Sequence, residues 1–186
     1  MTLYERWDLL TATPIETARL ILRPETVADA ESIHAMNTDP EVMRFIATRW
    51  TFSLSEFVER QREALARLAD KNYGGVAVVQ KETGAFIGLC WLAPGRLLDN
   101  EIELGYRYVR PAWGKGYATE AGRAVLAQAW ERLGIGQVLA MAHPRNLASR
   151  RVLEKLGFQH ERHIFHPGYQ CNVRVYRIER ARAAAV

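Results

Sequence analysis

Cysteine is scarce: the chain has 186 residues and two cysteines, Cys90 and Cys171. They lie far apart, with no metal-ligand spacing, and read as free thiols of a reducing compartment rather than a disulfide framework. Long hydrophobic runs are missing as well. No window approaches the ~18 consecutive apolar residues that a membrane-spanning helix needs. The segment Met1 to Leu10 carries Glu5, Arg6 and Asp8, so no signal peptide is expected there and a cytoplasmic location is. Charge of one sign is also lacking. There are 25 Lys and Arg against 21 Asp and Glu, a net +4. The basic residues are interleaved with acidic ones, which argues against direct nucleic-acid binding while still suiting an anionic ligand. No repeat or low-complexity stretch is present.

What is present is the ordinary mixture of one soluble domain, 48% hydrophobic and 25% charged. Residues 1–14 are expected to form an N-terminal arm, 15–180 the single domain and 181–186 a frayed tail. Strands are predicted at 18–23, 75–80, 85–91, 101–109 and 137–142, with two more around Pro167-Gly168. Helices are predicted at 26–36, 40–45, 54–69, 118–133 and 146–156. Ser53 to Glu56 reads as a capping box for the third helix. Leu54, Phe57, Val58, Leu65 and Leu68 would form its apolar face. Gly157 stops the last helix. The order is mixed α/β.

The segment Trp113-Gly114-Lys115-Gly116-Tyr117-Ala118-Thr119-Glu120-Ala121 falls between a predicted strand and a predicted helix. Two glycines allow a tight bend whose amides point one way. The helix start adds free N–H groups and the positive end of its dipole. Together these form a cradle for a phosphate or diphosphate, to which Lys115 can add charge. A Walker loop needs Ser or Thr after the lysine, and Gly116 stands there. A dinucleotide fingerprint needs glycine where Thr119 stands. The plainer alternative is a turn that only reverses the chain.

The second motif runs from Asn146 to Phe158, about thirty residues on. The two together resemble the GNAT superfamily of acetyl-CoA-dependent N-acetyltransferases. The segments Glu16 to Arg23 and Glu103-Leu104-Gly105-Tyr106 resemble its ribosomal-protein N-acetyltransferase branch. That resemblance implies an α/β fold with a mixed, mostly antiparallel sheet, splayed central strands and flanking helices. The 101–109 and 137–142 strands would part. The pantetheine arm of acetyl-CoA would lie between them, pairing with backbone from Leu104 through Tyr106 to Val109. The diphosphate would rest on amides of Gly114, Lys115, Gly116, Tyr117, Ala118 and Thr119, and Asn146 would contact the cofactor.

Two positions depart from the superfamily. Trp113 replaces a common Gln or Arg, as is usual in the ribosomal branch, so phosphate contacts must come mainly from backbone. Leu153 stands where many members carry the tyrosine that protonates the departing thiolate. The branch resemblance implies Ser149 as the replacement donor. It lies one helical turn earlier on the same face. Alternatively, Asn146 and Ser149 serve only the helix start.

Acyl transfer to an amine requires removal of the ammonium proton. Glu103 is the candidate base, since it alternates with Ile102 and Leu104 and partial burial would raise its pKa. Glu101 shares its face and is a rival, as is the reading of either as an exposed strand carboxylate. An amide near Leu104 or Tyr106 could polarise the thioester carbonyl. No covalent enzyme intermediate and no metal is expected. His160, His163 and His166 read as surface or substrate-facing residues, the first two on opposite faces. Arg150 and Arg151 could meet the 3′-phosphate or form a solvated face. Trp50 and Phe52 could wall the acceptor pocket or pack in the core. The expected acceptor is a protein N-terminal α-amine. A small amine and a non-catalytic acyl-CoA-binding module are the alternatives, and a homodimer is possible. Acceptor choice would reside in loops 37–57, 94–100 and 163–170.

Overall fold

A computed structural model describes residues 13–48, 50–68 and 74–180. The expected arm (all but residues 13–14) and the frayed tail lie outside the described residues. One eight-stranded sheet organises the rest, in the order β1-β2-β3-β4-β5-β6-β8-β7. The strands are β1 (Ile15–Glu16), β2 (Leu20–Pro24), β3 (Gly74–Gln80), β4 (Phe86–Pro94), β5 (Ile102–Tyr108), β6 (Gln137–Ala142), β7 (Gln159–His166) and β8 (Cys171–Glu179). The helices are α1 (Ala30–Thr38), α2 (Pro40–Met43), α3 (Leu54–Leu68), α4 (Tyr117–Glu131) and α5 (Leu147–Leu156). The sequence reading misses β1, a two-residue strand too short to show a period.

Local chemistry fixes several boundaries. The N–H of Ser53 donates to Glu56 Oε2 at 2.8 Å, and the N–H of Glu56 donates to Ser53 Oγ at 3.3 Å, which is the capping box of α3. Leu54 is 39% exposed, a departure from its expected apolar face. It sits in the first turn of α3. Phe57, Val58 and Leu65 turn inward. The 26–36 segment splits into a 3-10 turn, Val27–Asp29, followed by α1. Asp29 holds that junction. It accepts from the N–H and hydroxyl of Thr26 and from both terminal nitrogens of Arg23.

One face of the sheet forms the main core. Leu22, Val78, Cys90, Leu92 and Leu104 pack there against Ala121, Val125 and Leu126 of α4 and Leu153 of α5. The opposite face carries Glu103, Gly105 and Arg107, with α1 lying against β4. A side chain at Gly105 would sit 2.2 Å from Trp91 Cε2, so the indole lies directly on that glycine.

All strand pairings are antiparallel except one. β5 and β6 run parallel and share a single register pair, Glu103↔Leu139. Beyond it they diverge, and the sheet opens as a wedge between its two halves.

Candidate active site

Three elements converge on that wedge: the free edge of β5, the bend ahead of α4, and the first turn of α5. On β5, the Val109 N–H donates to Ile87 O at 3.1 Å. The antiparallel ladder therefore turns the backbone groups of the odd-numbered residues toward β4, and those of Leu104, Tyr106 and Tyr108 toward β6. Val109 departs from expectation here, since its carbonyl also accepts from the Ala112 N–H at 3.0 Å. Its backbone is engaged within the fold. The Tyr108 carbonyl is taken by the Trp113 indole N–H at 2.8 Å. Tyr106 thus offers N–H and C=O to the wedge with no partner strand beside it.

The bend follows. Gly114 and Gly116 have φ of 75° and 82°, left-handed values that a side chain strains. Gly116 is the N-cap of α4, with no side-chain cap. The amides of Tyr117, Ala118 and Thr119 are the first-turn donors that a helix leaves without intrahelical partners. The side chains of Tyr117 and Thr119 are largely buried, so the first turn presents chiefly its backbone. Lys115 is exposed, and its carbonyl accepts from Arg19 Nη1 at 3.0 Å. Arg19 also lies 4.6 Å over the Tyr117 ring and pairs with Glu120. A cleft of about 590 Å³ beside the bend is lined by Arg19, Gly116, Thr119, Arg123 and Lys155 among others. Its excess of cations fits a diphosphate and an adenosine phosphate. Arg19 lines this cleft, and nothing in its local sequence singles it out. Only the fold brings strand β2 to the start of α4.

On α5, Asn146 Oδ1 accepts the Ser149 N–H at 3.1 Å, the expected N-cap. The Tyr106 hydroxyl donates to the Ser149 carbonyl at 3.0 Å and lies 3.0 Å from Ser149 Oγ. This contact was also missed, although strand alternation places Tyr106 on the same face as Leu104, toward the α5 side. Burial pushes the Tyr106 phenol well above its ordinary pKa, with Ser149 partly opposing. Tyr106 therefore remains a neutral donor at physiological pH. Leu153, at 1% exposure, is a core residue. Cys90 is buried, and desolvation pushes its thiol up to about 12, so it is no nucleophile.

Glu103 sits at the apex, on the single bridge. Burial pushes its carboxyl up to about 7, opposed by a hydrogen bond from the Met141 backbone. Glu101 is tied elsewhere, accepting from Gln137 Nε2 at 2.8 Å. Gly95 leaves room for the Glu103 carboxylate, since a side chain there would come within 3.1 Å of Oε2.

Past Glu103 lies an aromatic stack. His143 sits between Phe45 and Tyr169, with ring centroids at 5.1 and 5.3 Å, and Tyr169 continues to His166 at 4.3 Å. The Tyr169 hydroxyl donates to Phe45 O at 2.6 Å, joining the β7–β8 turn to the loop after α2.

Other expectations resolve differently. Trp50 packs on Phe52, Phe57 and His34 in a half-buried aromatic group between α1 and α3, and Arg60 lies over the Phe52 ring. Arg150 is engaged with the Tyr176 hydroxyl and the Pro144 carbonyl. Arg151 is exposed. His160 and His163 do not face opposite ways. A bulge between His160 and Arg162 breaks the alternation and brings their rings to 4.6 Å. Among the described residues, no group of three His, Cys, Asp or Glu is placed to hold a metal. No helix there is long and apolar enough to cross a membrane.

The fold that carries these elements is shared with known proteins. A family model described as the acetyltransferase (GNAT) domain matches residues 19–159. The chain belongs to the GNAT acetyltransferase family. This GNAT chain is 31% identical to YkkB of Bacillus subtilis over 159 residues, covering 82% of this chain and 88% of YkkB. It is 31% identical over 158 residues to the FsC-acetyl coenzyme A-N(2)-transacetylase of Aspergillus fumigatus, covering 81% of this chain and 67% of that enzyme. Among solved structures, an acetyltransferase from Agrobacterium tumefaciens superposes with a TM-score of 0.74 at 26% identity, covering 90% and 95% of the two chains. The protein is an acetyltransferase of the GNAT type, and its mixed sheet with splayed central strands is the expected one.

Proposed function

We propose that the protein transfers acetyl from acetyl-CoA directly to a primary amine, with the N-terminal α-amine of a polypeptide as acceptor. The observation that carries this reading is the wedge beyond Glu103↔Leu139, flanked by the glycine bend on one side and Ser149 on the other. The ribosomal-protein branch of the family is the proposed placement, on the residues of the Glu16–Arg23 and Glu103–Tyr106 segments.

Acetyl-CoA, when bound, supplies an acetyl group activated as a thioester. The chain's own residues do the rest. Backbone amides of Gly114 to Thr119 hold the diphosphate, and Arg19, Arg123 and Lys155 screen the phosphates. Tyr106 N–H and C=O pair with the pantetheine amides, with Leu104 beside them, and Asn146 contacts the arm at the head of α5. The cleft around Glu103 excludes much of the water, so its carboxyl titrates near the pH at which it works. An α-amine, with a pKa near ~8, loses its proton to such a base far more readily than to an ordinary glutamate. Ser149 Oγ gives a hydrogen to the departing sulfur, and Tyr106 behind it can then turn its single proton from the Ser149 carbonyl to Oγ.

The α-amine is favoured over a polyamine by the charge of the cleft. Its side chains include Glu103, Arg107, His143 and His166, and a polycation would want several carboxylates. The test is thiol release from acetyl-CoA with the purified chain over peptides bearing free N-termini, amino acids and polyamines. Turnover with peptides supports the reading. Turnover with spermidine alone would overturn the acceptor class, and none with any amine would overturn the activity.

A further inference from the structure

Arg107 stands out on the acceptor side of β5. It shares a face with Glu103, four residues along the strand, so their Cα atoms are about 13 Å apart. Its guanidinium donates from Nη1 to Asn37 Oδ1, a neutral acceptor. Its Nε is buried and has no hydrogen-bond partner. Among the described residues no carboxylate forms an ion pair with it. A half-buried cation without a counter-ion is costly to keep unless something anionic completes it.

The neighbours are consistent with an anion arriving from outside. Strand alternation puts Arg107 and Glu103 on one face of β5, and Tyr169 lies within electrostatic reach of both. His143 and His166 line the Tyr169 side. Each accepts a backbone N–H at Nδ1, from Arg145 and Gly168 at 3.2 Å. That fixes the neutral tautomer with hydrogen on Nε2, another donor. Glu103 is a carboxylate on this face, but the proposed chemistry occupies it.

We infer that Arg107 binds a carboxylate carried by the acceptor, so that the substrate class is a primary amine with a carboxylate several bonds from the reacting nitrogen. Glu103 meets the amine end and Arg107 the anionic end. Two sources share this chemistry: an acidic side chain next to a polypeptide N-terminus, and a free ω-amino acid. The inference rests on the acetyltransferase reading above, and names which amines it prefers.

The test uses the full chain at saturating acetyl-CoA and matched acceptor pairs. One pair is the peptides Ala-Asp-Gly-Gly and Ala-Asn-Gly-Gly, both C-terminally amidated. Another is γ-aminobutyrate and its amide. The acidic member of one pair is expected to have a kcat/KM about 10- to 100-fold higher, the usual range for a charge-assisted pair. The pair that discriminates identifies the source. Arg107→Gln should bring the ratio near one, mainly through KM, and Arg107→Lys should keep part of it. Circular dichroism checks that the variants fold. If Arg107→Gln does not, the wild-type ratios and Arg107→Lys decide. A wild-type ratio near one in both pairs overturns the inference, as does an unchanged ratio in folded Arg107→Gln. Thiol release with the amidated acceptors alone leaves the acetyltransferase reading standing while this one falls.

Discussion

The Tyr106 hydroxyl sits 3.0 Å from Ser149 Oγ and donates to the Ser149 carbonyl, joining the free edge of β5 to the first turn of α5. Once the Tyr106 proton swings from that carbonyl to Oγ, the two hydroxyls in line make a short path for a proton toward the position of a leaving sulfur. They also pin the helix start at a fixed distance from the strand.

Ser149→Ala should lower kcat by about 100-fold or more, the low end of what a general acid contributes. The KM for acetyl-CoA should change little. Tyr106→Phe should lower kcat less, and should add almost nothing once Ser149 is gone. Steady-state kinetics of the two single variants and the double variant measure that coupling. Full additivity would show that the hydroxyls act independently.

Glu103 governs the pH profile. With its carboxyl raised to about 7, kcat/KM should fall on the acid side with a midpoint near that value. Glu103→Gln should lower the rate and move the limb toward the acceptor's own pKa. Stability moves the other way. A folded-state pKa above the unfolded one favours the fold below the unfolded pKa, and that advantage is lost as pH rises through about 7. At pH 8 Glu103→Gln should therefore be more stable than wild type by about 1 to 3 kcal/mol, and near parity at pH 4. Urea titrations at the two pH values check this.

Gly116 tests the cradle. Its φ of 82° makes Gly116→Ala strained by about 1 to 2 kcal/mol. Space is not the constraint, since an added carbon would lie 3.5 Å from Arg19 Nη2. Gly116→Glu adds a negative charge at the helix start and should weaken acetyl-CoA binding at least tenfold by calorimetry. Similar affinity in both variants would remove the bend as the phosphate site.

Asp29 tests the fold apart from the chemistry. Desolvation raises its pKa, but the Arg23 guanidinium and the Thr26 donors outweigh it and hold the carboxyl below its usual range. Its contribution is therefore present above the unfolded carboxylate pKa and lost as pH falls through the lower folded value. Asp29→Ala should cost about 2 to 3 kcal/mol at pH 7, measured by denaturant unfolding, with cofactor affinity retained.

Much of this was legible in the chain. The 137–142 strand has the bounds the sequence gives it, because β-branched and apolar residues sit between a glycine and a proline signal. The glycine bend and the Asn146 cap were readable for the same reason: each is a local device whose residues are adjacent. What escaped was long-range. Arg19 reaches Glu120, Tyr106 reaches Ser149, and Tyr169 reaches Phe45, each across a separation that no window spans. The His160–His163 face was misread because one bulge shifts the period, and Val109 because strand parity depends on which neighbour the first hydrogen bond chooses.

The lone register pair between Glu103 and Leu139 leaves the sheet as two blades on one rivet. A donor molecule threaded along the β5 edge would then brace the protein as well as feed it. Its saturation at a hundredfold excess over Kd should add about 2.7 kcal/mol to the folded state. Amide exchange should slow most along β6, where the far blade stops rocking.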